Sequence, residues 1–223
     1  DPINIVKIFN DKEVDELIFL DITSSKENRG PNYNLISDIA SECFMPLSYG
    51  GGIKSIDEIR SLLKIGVEKV SLNSVAVTNP KLVNEATNFF GSSTIIVSID
   101  VKKNMFGKYE VYICGGSYNT KIDPVSHAKK MQDLGVGEIL INSIDRDGLM
   151  NGYDIKLIEM ISNAVNIPVI ACGGAGKLEH FRDAVNIGNA SAVAAGSMFV
   201  YQGPYKAVLI SYPCQSELKS YLK

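Results

Sequence analysis

Short apolar segments rich in β-branched residues alternate with amphipathic segments along most of the chain. The apolar segments are nearly continuous, which is typical of parallel strands buried on both faces. They predict strands over residues 17–22, 45–49, 69–73, 94–100, 138–143, 168–172 and 191–195. The segments between them have helical spacing and predict helices over residues 56–65, 80–90, 124–134, 155–164 and 179–187. Strand–helix alternation of this kind indicates a parallel sheet with crossover helices.

One segment interrupts the alternation. Residues 102–118 predict a hairpin inserted after the strand at 94–100, with its turn at 104–108 and its returning arm at 109–114. No Pro-, Gly- or Ser-rich linker divides the chain. The sequence therefore predicts one domain over residues 1–223.

The two halves of the chain resemble each other. Residues 49–54 align with residues 172–177 at an offset of 123, and residues 16–18 align with residues 138–140 at an offset of 122. Two related halves of four strand–helix units predict a (βα)8 TIM barrel with a half-barrel repeat. Only seven strands are predicted, and the counterpart of the strand ending at Asp100 would lie upstream of Asp1. We expect that the first strand is missing, so that the chain holds strands 2 to 8.

Two glycine-rich turns follow predicted strands, at residues 50–52 and 173–176, and Ser74 and Ser197 follow the next strands. Glycine lets backbone N–H groups approach an anion closely, and a neighbouring hydroxyl adds a donor. One such turn is weak evidence, because glycine also serves tight strand–helix turns. Two at equivalent places predict two phosphate sites across the barrel mouth, and hence an elongated ligand with a phosphate at each end.

Carboxylates follow several strands. Asp21 and Asp100 each end an apolar strand, and Asp145 and Asp147 lie just after another. Barrel enzymes place catalysis at the carboxyl ends of the strands, where a carboxylate can act as general acid or base. Helix capping or loop support is an equally good interpretation of Asp21 and Asp145. For Asp100, catalysis is the favoured interpretation.

Charged residues cluster at the strand starts, at the opposite end of the predicted barrel. Glu16, Lys69 and Glu138 are the main members. A solvated rim is the usual interpretation of such a ring. A gate or a docking face for a partner is the alternative.

Composition excludes several classes of protein. A formal charge of −3 with a pI near 5.5 gives no basic surface for nucleic acid. No segment reaches about 18 apolar residues, and the first residues lack a signal pattern, so we expect a cytoplasmic protein without a membrane partner. The four cysteines lie far apart, which argues against a disulfide framework or a metal site.

These residues together resemble the cyclase subunit of imidazole glycerol phosphate synthase over essentially the whole chain. The segments that carry the resemblance are 15–23, 50–53, 138–148, 152–154 and 171–181. The most specific are Asp145-Arg146-Asp147-Gly148 and the Gly-Gly-Ala-Gly-Lys segment at 173–177.

The resemblance implies a (βα)8 barrel that pairs with a glutaminase subunit as a heterodimer and receives ammonia through its core. It implies conversion of an aminoimidazole-carboxamide ribonucleotide with two phosphates to imidazole glycerol phosphate and the ribotide AICAR, in histidine biosynthesis. No cofactor and no metal are implied.

The resemblance also implies residue roles. Asp100 corresponds to one of two acid–base aspartates, and the other belongs to the missing first strand. The residues implied to bind substrate are Gly52, Asn73 and Ser74 at one phosphate, and Asp147, Gly148, Gly174, Gly196 and Ser197 at or near the other. Glu16, Lys69 and Glu138 correspond to the charged gate. The supporting role of Asp21 and Asp145 is expected from their places after strands and not from the resemblance.

The chain also departs from the usual family pattern. Tyr49 stands before the first glycine turn, Cys172 before the second, and Leu149 after Gly148. These departures, together with the segments 42–47, 196–205 and 207–213, resemble a divergent branch linked to surface-polysaccharide (LPS O-antigen) synthesis. There a similar barrel delivers ammonia to a sugar amidotransferase, and a large Tyr49 is expected to reshape the substrate cleft. A related sugar-phosphate isomerase barrel fits Asp100 but fits residues 145–148 poorly.

Overall fold

The computed structural model describes residues 2–203 and 205–222. The helices are α1 Pro2–Asp11, α2 Tyr33–Glu42, α3 Ile56–Lys64, α4 Ser74–Thr78, α5 Pro80–Phe90, α6 Pro124–Asp133, α7 Ile155–Ser162, α8 Leu178–Asn186, α9 Ser197–Val200 and α10 Gln215–Tyr221. The strands are β1 Leu17–Leu20, β2 Leu47–Gly50, β3 Lys69–Leu72, β4 Ile95–Lys103, β5 Tyr109–Ile113, β6 Tyr118–Asn119, β7 Glu138–Ser143, β8 Val169–Cys172, β9 Ala192–Val193, β10 Tyr201–Gln202 and β11 Ala207–Val208.

Within the described residues, seven parallel strands form the central sheet in the order β1-β2-β3-β4-β7-β8-β9. Between successive strands of this order the chain passes through helices that cover the sheet. β5 pairs antiparallel with β4, and β6 pairs with β5, so the predicted hairpin after the fourth strand is confirmed. A separate two-stranded ribbon, β10–β11, follows α9.

The strands form where the sequence is continuously apolar. In β4, Ile95, Val97 and Ile99 are fully buried, and Ile96 is almost so, although neighbouring residues of a strand face opposite sides. Both faces of the strand are therefore covered, as a parallel sheet requires. Helices α2, α3, α6 and α7 begin at side-chain caps. At the start of α3, Ser55 and Glu58 form a capping box.

The sheet curls so that its distant strands face one another. Lys69 on β3 bonds to Glu16, just before β1, and to Glu138 on β7. These contacts reach across the inside of the sheet, and the α/β (βα)8-barrel class predicted from the sequence is confirmed. Among the described residues β1 and β9 are the two edges of this sheet. The expected eighth strand stays a prediction.

Several element bounds differ from the sequence-based expectation. β4 continues to Lys103, past the predicted end at Asp100, because it pairs with β5 as well as with its parallel neighbours. β9 is shorter than the predicted strand at 191–195. Helices α1 and α2 were not predicted, although each buries an apolar face at a spacing of three residues. None of the helices within residues 2–203 and 205–222 is long and apolar enough to cross a membrane.

Tyr49 lies on the outward face of β2, beneath the helices. Its side chain is 1% exposed, and its ring centroid lies 5.9 Å from that of Phe19 on β1. The expectation that Tyr49 reshapes the cleft at the barrel mouth is therefore wrong. The neighbouring Gly50, and not Tyr49, faces the barrel interior, because alternate residues of a strand face opposite sides.

Replacing Tyr49 with Phe is expected to stabilise the protein. The Tyr49 hydroxyl is buried and has no hydrogen-bond partner within the described structure. Removing it removes an uncompensated desolvation cost of about 1 kcal/mol, which should raise Tm by about 2–4 °C. Thermal unfolding of the variant measures this shift.

Tyr153→Phe is the matched control, because the Tyr153 hydroxyl donates to the Ala194 carbonyl at 2.9 Å. Its loss should lower Tm by a similar amount. Equal shifts in the two variants would contradict the assignment of the unpartnered hydroxyl.

Candidate active site

A cavity of about 460 Å³ lies at the carboxyl ends of the parallel strands, between the loops that follow them. Five of the residues singled out from the sequence line it: Asp21, Asn73, Asp100, Asp147 and Gly196. The other predicted substrate-binding residues lie within two residues of a lining position but do not line the cavity: Gly52, Ser74, Gly148, Gly174 and Ser197. The structure thus brings the predicted substrate residues to one end of the barrel.

Asp100 lies in the wall of this cavity, partly buried on β4. Its Oδ1 accepts a hydrogen bond from Asn142 Nδ2 at 3.0 Å, and its Oδ2 accepts one from Asn73 Nδ2 at 3.3 Å. Burial raises the pKa of the Asp100 carboxyl, the bond from Asn142 lowers it in part, and the charge of Asp147 raises it further. A raised pKa brings a carboxyl group closer to the pH at which acid–base catalysis operates.

The cavity wall is acidic. Asp21, Asp100 and Asp147 line it, and none of its lining residues in the described chain is Lys, Arg or His. Cys172 also lines the cavity. Burial, and then the charges of Asp147 and Asp100, raise the pKa of its thiol to about 12. The thiol is therefore protonated at neutral pH. An anionic ligand here depends on backbone N–H groups and on cations beyond the wall.

Asp21 organises the loop that follows β1. Its Oδ1 accepts bonds from the Thr23 and Ser24 backbone N–H groups at 3.1 and 3.0 Å, and its Oδ2 accepts one from Arg29 Nη1 at 3.2 Å. Burial opposes ionisation of Asp21, but the bonds from Thr23, Ser24 and Arg29 hold its pKa below the usual value. A carboxylate with four acceptor contacts, including the Thr23 hydroxyl, favours support of the loop over proton transfer.

Asp145 has a comparable place at the other side of the mouth. Its Oδ2 accepts a hydrogen bond from the backbone N–H of Lys103 at 2.8 Å, which ties the loop after β7 to the end of β4. Asp145 is exposed and does not line the cavity. The supporting role of Asp21 and Asp145 stays a prediction that these contacts favour.

Both glycine turns contain two successive glycines with positive φ. Gly51 and Gly52 have φ of +138° and +67°, and Gly173 and Gly174 have φ of +84° and +112°. The turns thus correspond at an offset of 122, one residue less than the sequence alignment placed them. The correction follows from the strands, since β2 ends at Gly50 and β8 ends at Cys172.

The close packing of neighbouring loops requires glycine at positions 52 and 174. A Cβ at Gly52 would lie 2.4 Å from the Arg29 carbonyl oxygen, and one at Gly174 would lie 2.4 Å from the Gly152 carbonyl oxygen. Close backbone approach explains both glycines without a ligand. Their role in phosphate binding stays a prediction.

The remaining predicted phosphate residues differ in how open they are. A Cβ at Gly148 or Gly196 would meet no atom within 4 Å, so both face open space. The Ser74 hydroxyl instead accepts a hydrogen bond from the Cys114 backbone N–H at 3.0 Å, which holds the hairpin beside it. Ser197 begins the short helix α9.

The charged cluster lies at the opposite end of the barrel. Lys69 Nζ bonds to Glu16 Oε2 at 3.1 Å and to Glu138 Oε1 at 2.9 Å, while Ser48 Oγ donates to the other oxygen of Glu16 at 2.7 Å. Burial alone would lower the pKa of Lys69, but its bonds to Glu138 and Glu16 leave it above its usual value. Lys69 therefore stays charged and links Glu16 to Glu138 across the inside of the sheet, at the strand starts.

Two residues of the site were not predicted from the sequence. Asn142 contacts Asp100 directly, and Lys206, from the β10–β11 ribbon, donates to the Gly148 carbonyl oxygen at 3.4 Å. The predicted barrel makes the strands at 94–100 and 138–143 neighbours, but their register, which places Asn142 opposite Asp100, comes only from the structure. Lys206 lies in a segment without a regular pattern. Within the described chain, no cluster of three or more His, Cys, Asp or Glu could hold a metal ion.

Comparison with known proteins gives consistent findings. The sequence profile of the histidine biosynthesis protein family matches residues 1–206. A Hydrogenobaculum sp. protein named imidazole glycerol phosphate synthase subunit HisF is 47% identical over 223 residues, covering 100% of this chain and 85% of that protein.

Two further relatives carry the same subunit name in provisional form. A Pseudomonas aeruginosa protein is 48% identical over 218 residues, covering 98% of this chain and 87% of that protein. A Leptospira borgpetersenii protein is 48% identical over 214 residues, covering 96% of this chain and 84% of that protein.

Proposed function

Because the chain belongs to the histidine biosynthesis protein family, we propose that it is the cyclase subunit of imidazole glycerol phosphate synthase. The observation that carries the proposal is the 47% identity, along the whole chain, with a protein named as that subunit. The reaction joins ammonia to an aminoimidazole-carboxamide ribonucleotide bisphosphate and yields imidazole glycerol phosphate and AICAR. We assign this reaction to a single (βα)8-barrel domain over residues 1–223.

Asp100 is the acid–base residue of this proposal. It lies in the cavity wall at the carboxyl end of β4, with both carboxylate oxygens fixed by amide donors. In its ionised form it can take a proton from the attacking nitrogen, and in its protonated form it can give one during ring closure or C–N cleavage. A second aspartate, expected on the first strand, would take the complementary step.

The two phosphates of the substrate would lie on opposite sides of the mouth. Backbone N–H groups near Gly52, with Asn73 and Ser74, would bind one phosphate, and the turns at Gly148, Gly174, Gly196 and Ser197 would bind the other. The acidic wall supports separate places for the phosphates and for the reacting ring of the substrate. Phosphates would be held at the rim, while the carboxylates face the reacting ring.

Replacing Lys206 with Ala is expected to weaken binding of the bisphosphate substrate about threefold to tenfold. Lys206 has no ion-pair partner within the part of the chain described, and its amine lies beside Gly148, where the wall supplies no cation. The loss should shrink as salt is added, because the interaction is screened. Isothermal titration with a non-reacting bisphosphate analogue at two salt concentrations measures both effects.

Lys81→Ala is the matched control, since Lys81 is an exposed lysine of the outer helix α5. It should leave the affinity unchanged at both salt concentrations. An equal loss in the two variants would show a general charge effect, and would remove Lys206 from the phosphate site.

As a cyclase subunit the chain is part of a synthase complex, and we propose a glutaminase as its partner. The cluster of Glu16, Lys69 and Glu138 would lie beneath that partner as the gate for ammonia. Ser71 lies on β3 between Lys69 and Asn73, and its buried hydroxyl has no hydrogen-bond partner within the described structure. A free hydroxyl between the gate and the cavity suits the passage of a small polar molecule.

Delivery of ammonia to a sugar amidotransferase is not favoured as the function. The relatives that cover this chain are named as imidazole glycerol phosphate synthase subunits. Tyr49, which had supported a reshaped cleft, lies outside the cavity.

The test is turnover of the aminoimidazole bisphosphate by the full-length protein with excess ammonium salt at mildly alkaline pH. Formation of imidazole glycerol phosphate at about 1 per second or faster is the expected result. Addition of the glutaminase should then allow glutamine to replace the ammonium salt. A folded protein that leaves the bisphosphate unchanged would disprove the cyclase function.

A further inference from the structure

Asn142 occupies a special position in the sheet, directly beside Asp100. The two residues are register partners on the adjacent strands β4 and β7, and Asn142 also pairs with Cys172 on β8. Its Nδ2 donates to Asp100 Oδ1 at 3.0 Å. Because both residues lie on regular strands and not on loops, the pair is held by the sheet itself.

The surroundings of the Asn142 amide nitrogen and oxygen fix the orientation of the amide. Its Oδ1 is buried and has no hydrogen-bond partner in the described structure. Turning the amide over would place that oxygen against the Asp100 carboxylate, where two acceptors repel. A buried acceptor without a partner is costly, so the donor end of the amide must supply a compensating benefit.

The second glycine turn leaves room for this amide. A Cβ at Gly173 would lie 2.5 Å from Asn142 Oδ1 and 2.8 Å from the Ser143 carbonyl oxygen. Gly173 therefore allows the unpartnered oxygen to lie against a bare Cα. The turn after β8 and the carboxylate on β4 are thus in contact through one side chain.

The bond from Asn142 is the stronger of the two that Asp100 accepts. Asn73 bonds to the other carboxylate oxygen at 3.3 Å, and its amide nitrogen also donates to the Ser98 carbonyl oxygen at 3.0 Å. Asn142 has no such competing acceptor in the described chain, and its bond is shorter. The other groups that face Asp100 across the cavity are Asp147, Asp21 and the Cys172 thiol, and none of them is a cation.

We propose that Asn142 is the positioning residue of Asp100. Its amide holds the Asp100 carboxylate aimed into the cavity and stabilises the ionised form in an acidic wall. The proposal rests on the proposed function only where it calls Asp100 catalytic. The hydrogen bond and its effect on ionisation are properties of the protein without substrate. They can therefore be tested separately from turnover.

The first test follows the ionisation of Asp100 directly, by carbon NMR of protein labelled at aspartate carboxyls, with Asp100→Asn assigning the signal. In Asn142→Leu, which keeps the size of the side chain but has no donor, the titration of Asp100 should move to higher pH. Asn142→Ala, which is smaller and also lacks a donor, should move the Asp100 titration in the same direction. This variant tests the proposal if Asn142→Leu does not fold. An unmoved Asp100 titration in Asn142→Ala would overturn the proposal.

Ser162→Ala is the matched control. The Ser162 hydroxyl is also buried without a hydrogen-bond partner in the described structure, but it lies on α7 and does not line the cavity. Its removal should leave the Asp100 titration in place. A shift in this variant as large as in Asn142→Ala would show that any buried polar deletion moves it, and would overturn the assignment to Asn142.

The second test uses ammonia-dependent turnover across pH. In Asn142→Ala the loss of kcat should be greater at pH 6.5 than at pH 8.5, because Asp100 is then protonated over more of the acidic range. An equal loss at both pH values would indicate a structural effect and would overturn the positioning role. Wild-type protein without turnover would disprove the cyclase function, while the NMR titration would still decide the role of Asn142.

Discussion

Replacing Asp100 with Asn is expected to abolish ammonia-dependent cyclisation, with kcat lowered about a thousandfold or more. The amide keeps the size of the side chain but cannot take up or release a proton. Among the described residues that line the cavity, Asp100 is also the one carboxylate that receives side-chain amide donors on both oxygens. Single-turnover assays with excess ammonium salt measure the chemical step without product release.

Binding of the bisphosphate should survive the change within about threefold, because the turns proposed to bind phosphate lie at the rim and removing a negative charge from an acidic wall does not disfavour an anion. Asp38→Asn, on the exposed face of α2, is the control for loss of a carboxylate elsewhere and should retain full activity. Turnover within tenfold of wild type in Asp100→Asn would remove Asp100 from the catalytic role.

The sequence predicted the strands well because a parallel sheet makes continuous apolar segments. The strand Glu138–Ser143 has the predicted bounds. The helix Pro80–Phe90 has them too, because proline lies in its first turn and Gly91, with a positive φ, caps its end. The end of β4 could not be placed in the same way. Residues after Asp100 belong both to the barrel strand and to the hairpin, and only the pairing of β4 with β5 shows that one strand serves both.

The internal repeat shows how a one-residue error in alignment exchanges the two faces of a sheet. Matching identical glycines at an offset of 123 made Tyr49 the counterpart of Cys172, which lines the cavity. The backbone offset of 122 makes Tyr49 the counterpart of Ala171, and both are buried on the outward face. Alternation along a strand means that such a shift moves a side chain from one face of the sheet to the other.

The site was predictable where it depends on strand ends and not where it depends on register. Asp21, Asp100 and Asp147 could be placed together because the carboxyl ends of parallel strands meet at one edge. Asn142 lies within a predicted strand, and its contact with Asp100 follows from the pairing of β4 with β7. No pattern within either strand indicates which residue stands opposite which.

A glycine at this end of the barrel can serve loop packing or ligand binding, and substitutions can distinguish these two roles. Replacing Gly174 with Ala is expected to destabilise the protein by about 2–4 kcal/mol, because a Cβ would lie 2.4 Å from the Gly152 carbonyl oxygen at a φ of +112°. For a chain of this size the loss should lower Tm by about 5–15 °C. Thermal unfolding without ligand measures it.

Gly196→Ala is the matched substitution at the same end of the barrel. Gly196 has a φ of −115°, and an added Cβ would meet no atom within 4 Å, so Tm should change by less than about 2 °C. Its methyl group would instead enter the cavity that Gly196 lines, and should weaken binding of the bisphosphate analogue. If Gly174→Ala keeps the wild-type Tm and loses only affinity, its glycine serves the phosphate and not the contact with Gly152. If Gly196→Ala keeps full affinity, the second phosphate does not lie against that turn.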